Sequence, residues 1–375
     1  MSFPVPQALR DYARLAEPQL AAFLDAKGSA LRGLPVDLSR AHAALRDYVL
    51  RGGKRLRGAL VLLGHQAAGG RREDVLRPSL GVELLHAYLL IHDDFMDRDE
   101  VRRGGPTLHV TLAGAFKSGG ARPGGGPDGG AARGLGGEGA LHLAGSLAIL
   151  AGSLCEAWAL ELVLEAQVAP ERALAAARHL APALADVTVG QMLDLAAPQG
   201  PELPAAGVLR IEQLKTGSYT FELPLLLGAL LAGAAPDLLA ALRAYALPLG
   251  QAFQIADDLL GVFGAPEVTG KSSANDLREG KRTLLLAFAV ERAEEQGRTT
   301  AREAITAAVG DADLDAAGVA RIRDLLTDLG AVQAMEHRIA ALTGSALDAL
   351  SAVEIDEPAA SELVQLATLA TRRRS

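Results

Sequence analysis

The sequence predicts an all-α protein that folds as a single large helical bundle over residues 1–375. Ala and Leu dominate while aromatic residues make up only 4%, so strong helix formers outnumber the residues that strands prefer. Leu and Ala also recur at spacings of three and four residues, the period of an amphipathic helix. No strand-like alternation of comparable length interrupts this pattern, and we therefore expect about ten helices to pack together.

The helices are predicted in order along the chain from this periodicity. The first covers 7–31 and ends at Gly33 and Pro35, both of which interrupt helices. The second covers 38–50. Further helices are predicted at 55–68, 76–98, 140–167, 171–195, 206–232, 237–260, 281–296, 301–309, 315–329 and 331–351.

One segment, 114–139, has a composition that does not support a helix or a core. Gly accounts for 12 of its 26 residues and Pro for two more. Such a segment buries too little apolar surface to offset the entropy of ordering it. We expect a mobile insertion inside the single domain, which is either a lid next to the neighbouring acidic motif or a passive insertion.

Composition and charge exclude several classes of function. The net charge of −8 gives no general attraction to nucleic acid, so an anionic ligand must be held by local basic clusters. Cys155 is the only cysteine, which excludes an internal disulfide framework and fits a reducing compartment. The N-terminus lacks the features of a secretory signal, and the most apolar stretches, 143–155 and 223–236, are short for a membrane span. We expect a cytoplasmic protein without a transmembrane segment.

The strongest chemical signal is the segment 84–109, LLHAYLLIHDDFMDRDEVRRGGPTLH. On a helix, Asp93 and Asp97 lie one turn apart on the same face, with Asp94 beside them. The preceding turns are almost wholly apolar, and uncompensated carboxylates next to a core are costly. Clustered carboxylates are ligands that Mg²⁺ accepts, together with water and substrate phosphates.

A second acidic pair, Asp257 and Asp258, interrupts another apolar helix in FQIADDLLGVFG. Two such pairs on facing helices can hold metal ions in the interior of a bundle. Basic residues provide the complement. Lys54 and Arg57 lie in RGGKRLRG, where the glycines allow a sharp turn, and Arg102 with Arg103 follows the first acidic cluster.

These motifs, taken together and in order, resemble those of the trans-isoprenyl diphosphate synthase family. The similarity runs over about residues 50–286 and rests on GGKRLRG, DDFMD with RRGGPTLH, GQMLDL, KTGS, FQIADD, and GK with EGKRT. It implies an all-α fold around a central cavity, an Mg²⁺-dependent prenyltransferase and a homodimer. The implied substrates are isopentenyl diphosphate and an allylic diphosphate of the dimethylallyl, geranyl or farnesyl type.

The resemblance also implies roles for individual residues. Three Mg²⁺ ions would be bound by Asp93, Asp97 and Asp257, with support from Asp94 and Asp258. Isopentenyl diphosphate would be held by Lys54, Arg57, His86 and Arg103. The allylic diphosphate would be held by Arg102, Lys215, Lys271 and Lys281, with Thr216 and Gln254 beside the reacting carbon. Gln191 and Asp194 would be supporting polar residues on a facing helix.

Chain length is predicted from the residues that precede the first acidic cluster. Helix geometry puts Tyr88 and Leu89 on the wall next to the metal site, where an aromatic ring can block a growing chain. In the family, one aromatic residue here and an acidic motif without an insertion go with a geranylgeranyl product. Farnesyl and longer products remain alternatives.

The second acidic motif departs from the family pattern. Gly261 stands where many members have a third Asp, which predicts weaker metal binding there.

Two other functions remain open. A class I terpene cyclase also uses an Asp-rich helix, but 275–283 lacks its second metal motif and GGKRLRG indicates a second diphosphate substrate. A non-catalytic partner subunit is the other alternative, which the intact DDFMD disfavours.

Overall fold

The computed structural model describes residues 6–32, 34–36, 38–118, 137–200, 203–264 and 275–371. Within these ranges the chain is almost wholly helical, which confirms the predicted all-α class. The one departure is a short antiparallel hairpin in which β1, Val101–Arg102, pairs with β2, Gly105–Pro106. Gly104 at its turn has a φ of +71°, a conformation that glycine adopts without strain.

The chain divides into two compact units, and the predicted single domain stays a prediction. The smaller unit comprises Leu9–Ala59 and Leu76–Ala166; the larger comprises Met1–Ala8, Leu60–Val75 and Gln167–Ser375. The helices of the smaller unit are α1 (Gln7–Ala30), α2 (Ser39–Leu50), the start of α3 (Leu56–Ala67), α4 (Leu76–Met96), α5 (Leu108–Ser118) and α6 (Gly137–Leu164).

In the smaller unit α6 packs along α4 and also contacts α5 and α2. This helix is 28 residues long with a peak mean hydropathy of 1.8, so by length and composition alone it meets the criteria for a membrane span. It extends well beyond the stretch 143–155 that the sequence analysis took as its apolar part. Because core helices of soluble proteins pass the same test, and because one face of α6 is buried against α4, the finding does not by itself indicate a span.

Both ends of the predicted Gly-rich insertion are helical. Residues 114–118 continue α5, and α6 begins at Gly137. The Ala and Phe side chains between Gly114 and Ser118 explain the first difference, since they extend the apolar pattern of α5. The remaining positions, 119–136, lie outside the described residues.

The larger unit is built on α10, Pro236–Phe263, which packs against α15 and α16. Its helices, after α3, are α7 (Pro170–Ala196), α8 (Ala205–Glu212), α9 (Leu223–Ala232), α10, α11 (Asn275–Arg278), α12 (Leu284–Glu295), α13 (Thr299–Ala308), α14 (Ala316–Asp328), α15 (Ala331–Ser351) and α16 (Glu357–Thr371). The Tyr245 hydroxyl donates a hydrogen bond to the carbonyl of Leu363 at 2.8 Å and ties α10 to α16. This last helix, α16, was not predicted from the sequence.

The predicted helix at 206–232 is interrupted by a π-helix at Gln213–Glu222, between α8 and α9. A Cβ on Gly190 of α7 would lie 2.5 Å from the backbone nitrogen of Lys215, and one on Gly250 of α10 would overlap the carbonyl of Gly217. Two helices therefore approach this segment so closely that only glycine fits. Such π-segments are rare and occur frequently at functional sites.

Candidate active site

The first acidic motif lies on the last two turns of α4, in the smaller unit. Asp94 is fully buried and accepts hydrogen bonds from the Tyr48 hydroxyl at 2.6 Å and from Arg102 Nε at 2.7 Å. Burial raises the pKa of Asp94, and the Arg102 guanidinium opposes that rise. Asp93 and Asp97 are half-buried and lie one helical turn apart. Asp94 therefore anchors the end of the helix, while the other two carboxylates retain access to solvent.

Arg102 belongs to the same cluster. Its Nη2 lies 2.8 Å from Asp99 Oδ2 and 3.9 Å from Asp93 Oδ2, in addition to the contact with Asp94. The guanidinium thus compensates three carboxylates at the mouth of the acidic motif. Because its charge already compensates these carboxylates, Arg102 positions the acidic motif as well as offering N–H donors to a diphosphate.

The basic loop of the smaller unit, residues 51–55, precedes α3. Next to it, Arg57, His86 and Arg103 lie close together. The Nε2 atom of His86 lies 3.3 Å from Arg57 Nη1 and 3.5 Å from Arg103 Nη2, and Arg103 Nη1 donates to the carbonyl of Gly52 at 2.8 Å. Burial lowers the pKa of His86, and the neighbouring Arg57 and Arg103 lower it further. Lys54 lies in the same loop and is exposed. A cluster of cationic donors around a neutral imidazole suits a diphosphate.

Arg55 does not join this cluster, although it lies between Lys54 and Arg57 in sequence. Its side chain is buried, its Nη1 lies 3.4 Å from Glu83 Oε2, and its Nη2 donates to the carbonyl of Val49 at 3.0 Å. Glu83 Oε1 accepts the backbone N–H of Gly58 at 2.8 Å. The buried Arg55–Glu83 ion pair therefore holds the basic loop against α4.

The second acidic motif lines a cavity of about 220 Å³ within the larger unit. Lys215 and Thr216 of the π-helix contribute to its wall, as do Gln254, Asp257 and Asp258 of α10. Lys215 Nζ donates to Asp194 Oδ2 at 2.6 Å, and Gln254 Nε2 donates to Asp258 Oδ1 at 2.8 Å. The cavity thus combines the residue types that the resemblance assigned to the allylic substrate.

The remaining predicted residues of this unit are less central. Lys281 lines the cavity, and its Nζ lies 2.9 Å from Glu279 and 3.5 Å from Asp276. Gln191 lies on α7, one turn before Asp194, and is half-buried. Lys271 lies outside the described residues.

Glu212, at the end of α8, is a cavity residue that the sequence analysis missed. Its Oε1 accepts the backbone N–H of Leu284 at 3.0 Å, at the start of α12, and its carboxyl group is within hydrogen-bonding reach of Asp258. Burial raises the pKa of Glu212 to about 7, although its hydrogen bond with Asp258 lowers it. Burial also raises the pKa of Asp258 well above its usual range, and the negative charge of Glu212 raises it further. An acidic residue just before KTGS was the available signal, but nothing in its spacing related it to Asp258.

The donor set fits Mg²⁺. Glu212 Oε2 and Asp258 Oδ2 are buried without a hydrogen-bond donor in the described part of the chain, and such atoms need a proton or a cation. Carboxylates are the hard oxygen ligands that Mg²⁺ takes, usually one or two at a time with water and phosphate. The described ranges contain no group of three or more acidic, His or Cys side chains that could hold a metal ion by itself.

The fold and these two clusters define a member of the polyprenyl synthetase family. The family model matches residues 39–318, about three quarters of the chain, and the protein belongs to this family of prenyltransferases.

Individual relatives give the same assignment. Geranylfarnesyl diphosphate synthase from Aeropyrum pernix is 33% identical over 87% of this chain and 92% of its own length. Geranylgeranyl diphosphate synthase from Methanosarcina mazei is 33% identical over 67% of this chain and 68% of its own. The crystal structure of geranylgeranyl pyrophosphate synthase from Corynebacterium glutamicum, complexed with isoprenyl diphosphate and magnesium, is 33% identical with a TM-score of 0.87, and covers 99% of this chain and 100% of that one.

Proposed function

We propose that this protein condenses an allylic diphosphate with isopentenyl diphosphate in the presence of Mg²⁺ and releases geranylgeranyl diphosphate. The observation that carries the proposal is the cavity of the larger unit, where Lys215, Thr216 and Gln254 share one wall with the second acidic motif. The basic cluster around His86 in the smaller unit supports a second diphosphate substrate. A binding protein for one diphosphate would need only one of these.

The two substrates and the metal ions are assigned to separate groups of residues. In the smaller unit, Lys54, Arg57, His86 and Arg103 hold isopentenyl diphosphate. The groups that hold the allylic diphosphate are Arg102, Lys215, Lys271 and Lys281. Asp93, Asp97 and Asp257 hold Mg²⁺, for which we propose three ions. Asp94 and Asp258 are buried, hydrogen-bonded carboxyls that position these ligands.

Mg²⁺, when bound to the diphosphate, supplies Lewis-acid charge that favours departure of the leaving group. The protein supplies the rest of the electrostatic stabilisation. Cleavage of the allylic C–O bond adds negative charge to the diphosphate, and fixed cations such as Lys215 bind that state more strongly than the ground state. Lys215 is held in place by Asp194, so little reorganisation accompanies ionisation.

The double bond of isopentenyl diphosphate then attacks the allylic carbocation and forms the new C–C bond, and the resulting tertiary cation loses a proton from the adjacent carbon. The released diphosphate accepts this proton in our proposal, so that no protein base is required. Thr216 and Gln254 lie beside Lys215 and Asp258 and contribute neutral oxygen dipoles that stabilise a cation without capturing it.

The direct test is a product assay. Purified protein is incubated with Mg²⁺, isopentenyl diphosphate and dimethylallyl, geranyl or farnesyl diphosphate, and the released chain is identified by mass. The expected product has 20 carbons. A 15- or 25-carbon product would correct the length, a cyclic hydrocarbon would indicate a cyclase, and no product with any primer would indicate a non-catalytic subunit.

We also propose a homodimer, supported by an apolar stripe on α6. Leu143, Leu150 and Leu154 are between 36% and 60% exposed and recur at helical spacing on one face. Sedimentation should give twice the chain mass of 38.9 kDa. Leu150→Glu should shift the protein towards monomer, whereas Leu34→Glu, which also places a charge at an exposed leucine outside the stripe, should not.

A further inference from the structure

Tyr48 connects the helix that precedes the basic loop to the helix that carries the first acidic motif. It lies in the last turn of α2, which ends at Leu50. Its hydroxyl donates a hydrogen bond to Asp94 Oδ2 on α4 at 2.6 Å. Tyr48 is 4% exposed and Asp94 is fully buried, so a hydrogen-bonding group left unsatisfied there would be costly. The contact therefore holds two helix ends of the smaller unit together.

Both oxygens of the Asp94 carboxylate are bound by the protein. Oδ1 accepts from Arg102 Nε at 2.7 Å, and Oδ2 accepts from the Tyr48 hydroxyl. Burial, and then the negative charge of Asp94, raise the pKa of Tyr48, so the hydroxyl keeps the proton that it donates. The direction of the Asp94 side chain is thus set by α2 and by the hairpin.

The two carboxylates beside Asp94 lie where α4 ends. The helix ends at Met96, and the N–H of Asp97 still donates to the carbonyl of Asp93 at 2.8 Å. The last turn of a helix lacks intrahelical partners for its carbonyl groups, so its position depends on other contacts. Asp94 provides two such contacts from its side chain, and it therefore determines which way Asp93 and Asp97 face.

Arg102 alone does not fix this carboxylate, because its guanidinium is shared. Nη2 of Arg102 lies 2.8 Å from Asp99 Oδ2 and 3.9 Å from Asp93 Oδ2. Without the Tyr48 hydroxyl, Asp94 Oδ2 would lose its donor from α2, and the carboxylate would turn towards Arg102 or towards a metal ion at the motif. Either movement would displace the neighbouring carboxylates.

The basic loop has contacts of its own with the hairpin. Arg51 Nη1 donates to the carbonyl of Pro106 at 2.7 Å, and Arg103 Nη1 donates to the carbonyl of Gly52 at 2.8 Å. The position of the loop therefore does not depend on Tyr48 alone. Loss of the Tyr48 hydroxyl should affect the acidic motif and leave the basic cluster in place.

We propose that Tyr48 is a positioning residue for the first acidic motif, which acts through Asp94 to direct Asp93 and Asp97 towards the metal-bound diphosphate. The inference rests on the proposed function, since it assigns a further residue to that reaction. Tyr48 contacts neither the substrates nor the metal ions. It keeps Asp94 in place, which leaves the two neighbouring carboxylates for Mg²⁺.

The test removes one hydroxyl group. Tyr48→Phe keeps the ring and deletes the donor to Asp94. Tyr245→Phe is the matched control, because Tyr245 is also buried and its hydroxyl also donates a hydrogen bond, to the carbonyl of Leu363 in the larger unit. The measurements are amide hydrogen exchange of residues 92–97 in metal-free protein, Mn²⁺ binding in the presence of inorganic pyrophosphate from the free-ion electron paramagnetic resonance signal, and kcat with KM for isopentenyl diphosphate.

In Tyr48→Phe, residues 92–97 should exchange faster while the rest of the smaller unit exchanges as before. Mn²⁺ binding and kcat should each fall about 10–100-fold, the usual effect of losing a residue that orients a metal ligand. KM for isopentenyl diphosphate should change little, because the basic loop keeps its own contacts. Tyr245→Phe should match the unaltered protein in every measurement, and thermal melting checks that each variant is folded.

A double-mutant cycle with Asp94→Ala shows whether Tyr48 acts through Asp94. Addition of Tyr48→Phe to Asp94→Ala should cause no further loss of Mn²⁺ binding or kcat. If Asp94→Ala does not fold, the comparison of Tyr48→Phe with Tyr245→Phe decides the question.

Unchanged exchange and Mn²⁺ binding in Tyr48→Phe would overturn the inference, as would equal losses in Tyr245→Phe or a further loss on the Asp94→Ala background. A raised KM with unchanged Mn²⁺ binding would also overturn it, because Tyr48 would then belong to the isopentenyl diphosphate site. The product assay separates these outcomes from failure of the proposed function. If the unaltered protein makes no prenyl product, the function fails, and exchange with Mn²⁺ binding still decides the role of Tyr48.

Discussion

Glu83 links the basic loop to α4 by accepting the N–H of Gly58 on one carboxylate oxygen and facing Arg55 with the other. Both charged side chains are about 3% exposed. Removal of one partner of a buried pair leaves an uncompensated charge, which typically costs about 3–5 kcal/mol of stability. We expect Glu83→Ala to lower the free energy of unfolding by about that amount, measured by urea denaturation.

The matched control is Glu73→Ala, because Glu73 pairs with Arg71 at 3.5 Å while both side chains are more than 70% exposed. That variant should unfold almost like the unaltered protein. Equal losses in the two variants would show that the Arg55–Glu83 pair has no special structural role.

His86 should carry its proton on Nδ1 and titrate below the ordinary histidine pKa of 6.5. An arginine cannot accept a hydrogen bond, so the Nε2 atom that faces Arg57 and Arg103 must be the acceptor. Burial and these two cations lower the pKa of His86, and the imidazole therefore opposes folding as the pH falls below its ordinary value of 6.5. Nitrogen NMR of histidine-labelled protein, with the signal assigned by its absence in His86→Gln, should show an Nδ1–H tautomer. A signal that titrates at or above 6.5 would refute this.

Glu212 makes stability depend on pH in the opposite direction. Its raised pKa means that the folded state holds the proton more tightly than the unfolded state. The resulting stabilisation is complete below pH 4.5 and is lost as the pH rises through about 7. The amide of Glu212→Gln donates to Asp258 without a titrating proton. In metal-free buffer its melting temperature should therefore fall less than that of the unaltered protein between about pH 5 and 8.

Glu303→Gln is the control for this comparison, because Glu303 is exposed on α13 and loses the same charge. Its melting temperature should follow that of the unaltered protein. Parallel curves for Glu212→Gln and Glu303→Gln would show that the Glu212–Asp258 contact does not hold a proton.

Asp93 is expected to be essential for turnover. Asp93→Ala should lower kcat at least about a hundredfold, which corresponds to about 2.7 kcal/mol of transition-state stabilisation. The thermal unfolding midpoint of this variant should change little, because Asp93 is only half-buried. Asp11→Ala, an exposed carboxylate of α1, provides the control. Near-normal kcat in Asp93→Ala would remove DDFMD from the mechanism.

Sequence periodicity predicted the all-α class and most of the helices, because most helices bury one apolar stripe, but it missed α5 and α16. The predicted 331–351 coincides with α15, and 76–98 ends two residues after α4. The π-helix at Gln213–Glu222 was not predictable, because its cause is the close approach of Gly190 and Gly250, which are distant in sequence. For the same reason the contact of Glu212 with Asp258 became visible only in three dimensions.

Gly58, the last residue of GGKRLRG, illustrates the same limit. In the structure its N–H is the donor to Glu83, and a Cβ at this position would overlap the Tyr12 hydroxyl. A proline there would remove the hydrogen bond and collide with α1. The space next to Gly58 is therefore filled by Tyr12, a residue more than 40 positions earlier in the chain.

The product length depends, in our proposal, on Tyr88. Its ring lies edge-on against the ring of His92, with centroids 4.7 Å apart, and His92 Nε2 is 2.9 Å from the carbonyl of Ile149 on α6. A Cβ on Gly152 would overlap the His92 ring, so α6 makes room for it. The Tyr88 ring is thus supported by a neighbour that is itself fixed, and it can act as a firm barrier.

Truncation of this barrier should lengthen the product. Tyr88→Ala removes the ring and opens volume, so chains beyond 20 carbons should appear, whereas Leu89→Phe adds a ring on the same wall and should shorten them. Tyr88→Phe is the control, because it keeps the ring and the contact with His92 and should leave the distribution unchanged. Products are identified by mass after incubation with geranyl and farnesyl diphosphate. If neither Tyr88→Ala nor Leu89→Phe changes the lengths, the end of the channel is formed by other residues, and Leu84 and Leu85, both buried one turn earlier on α4, become the next positions to vary.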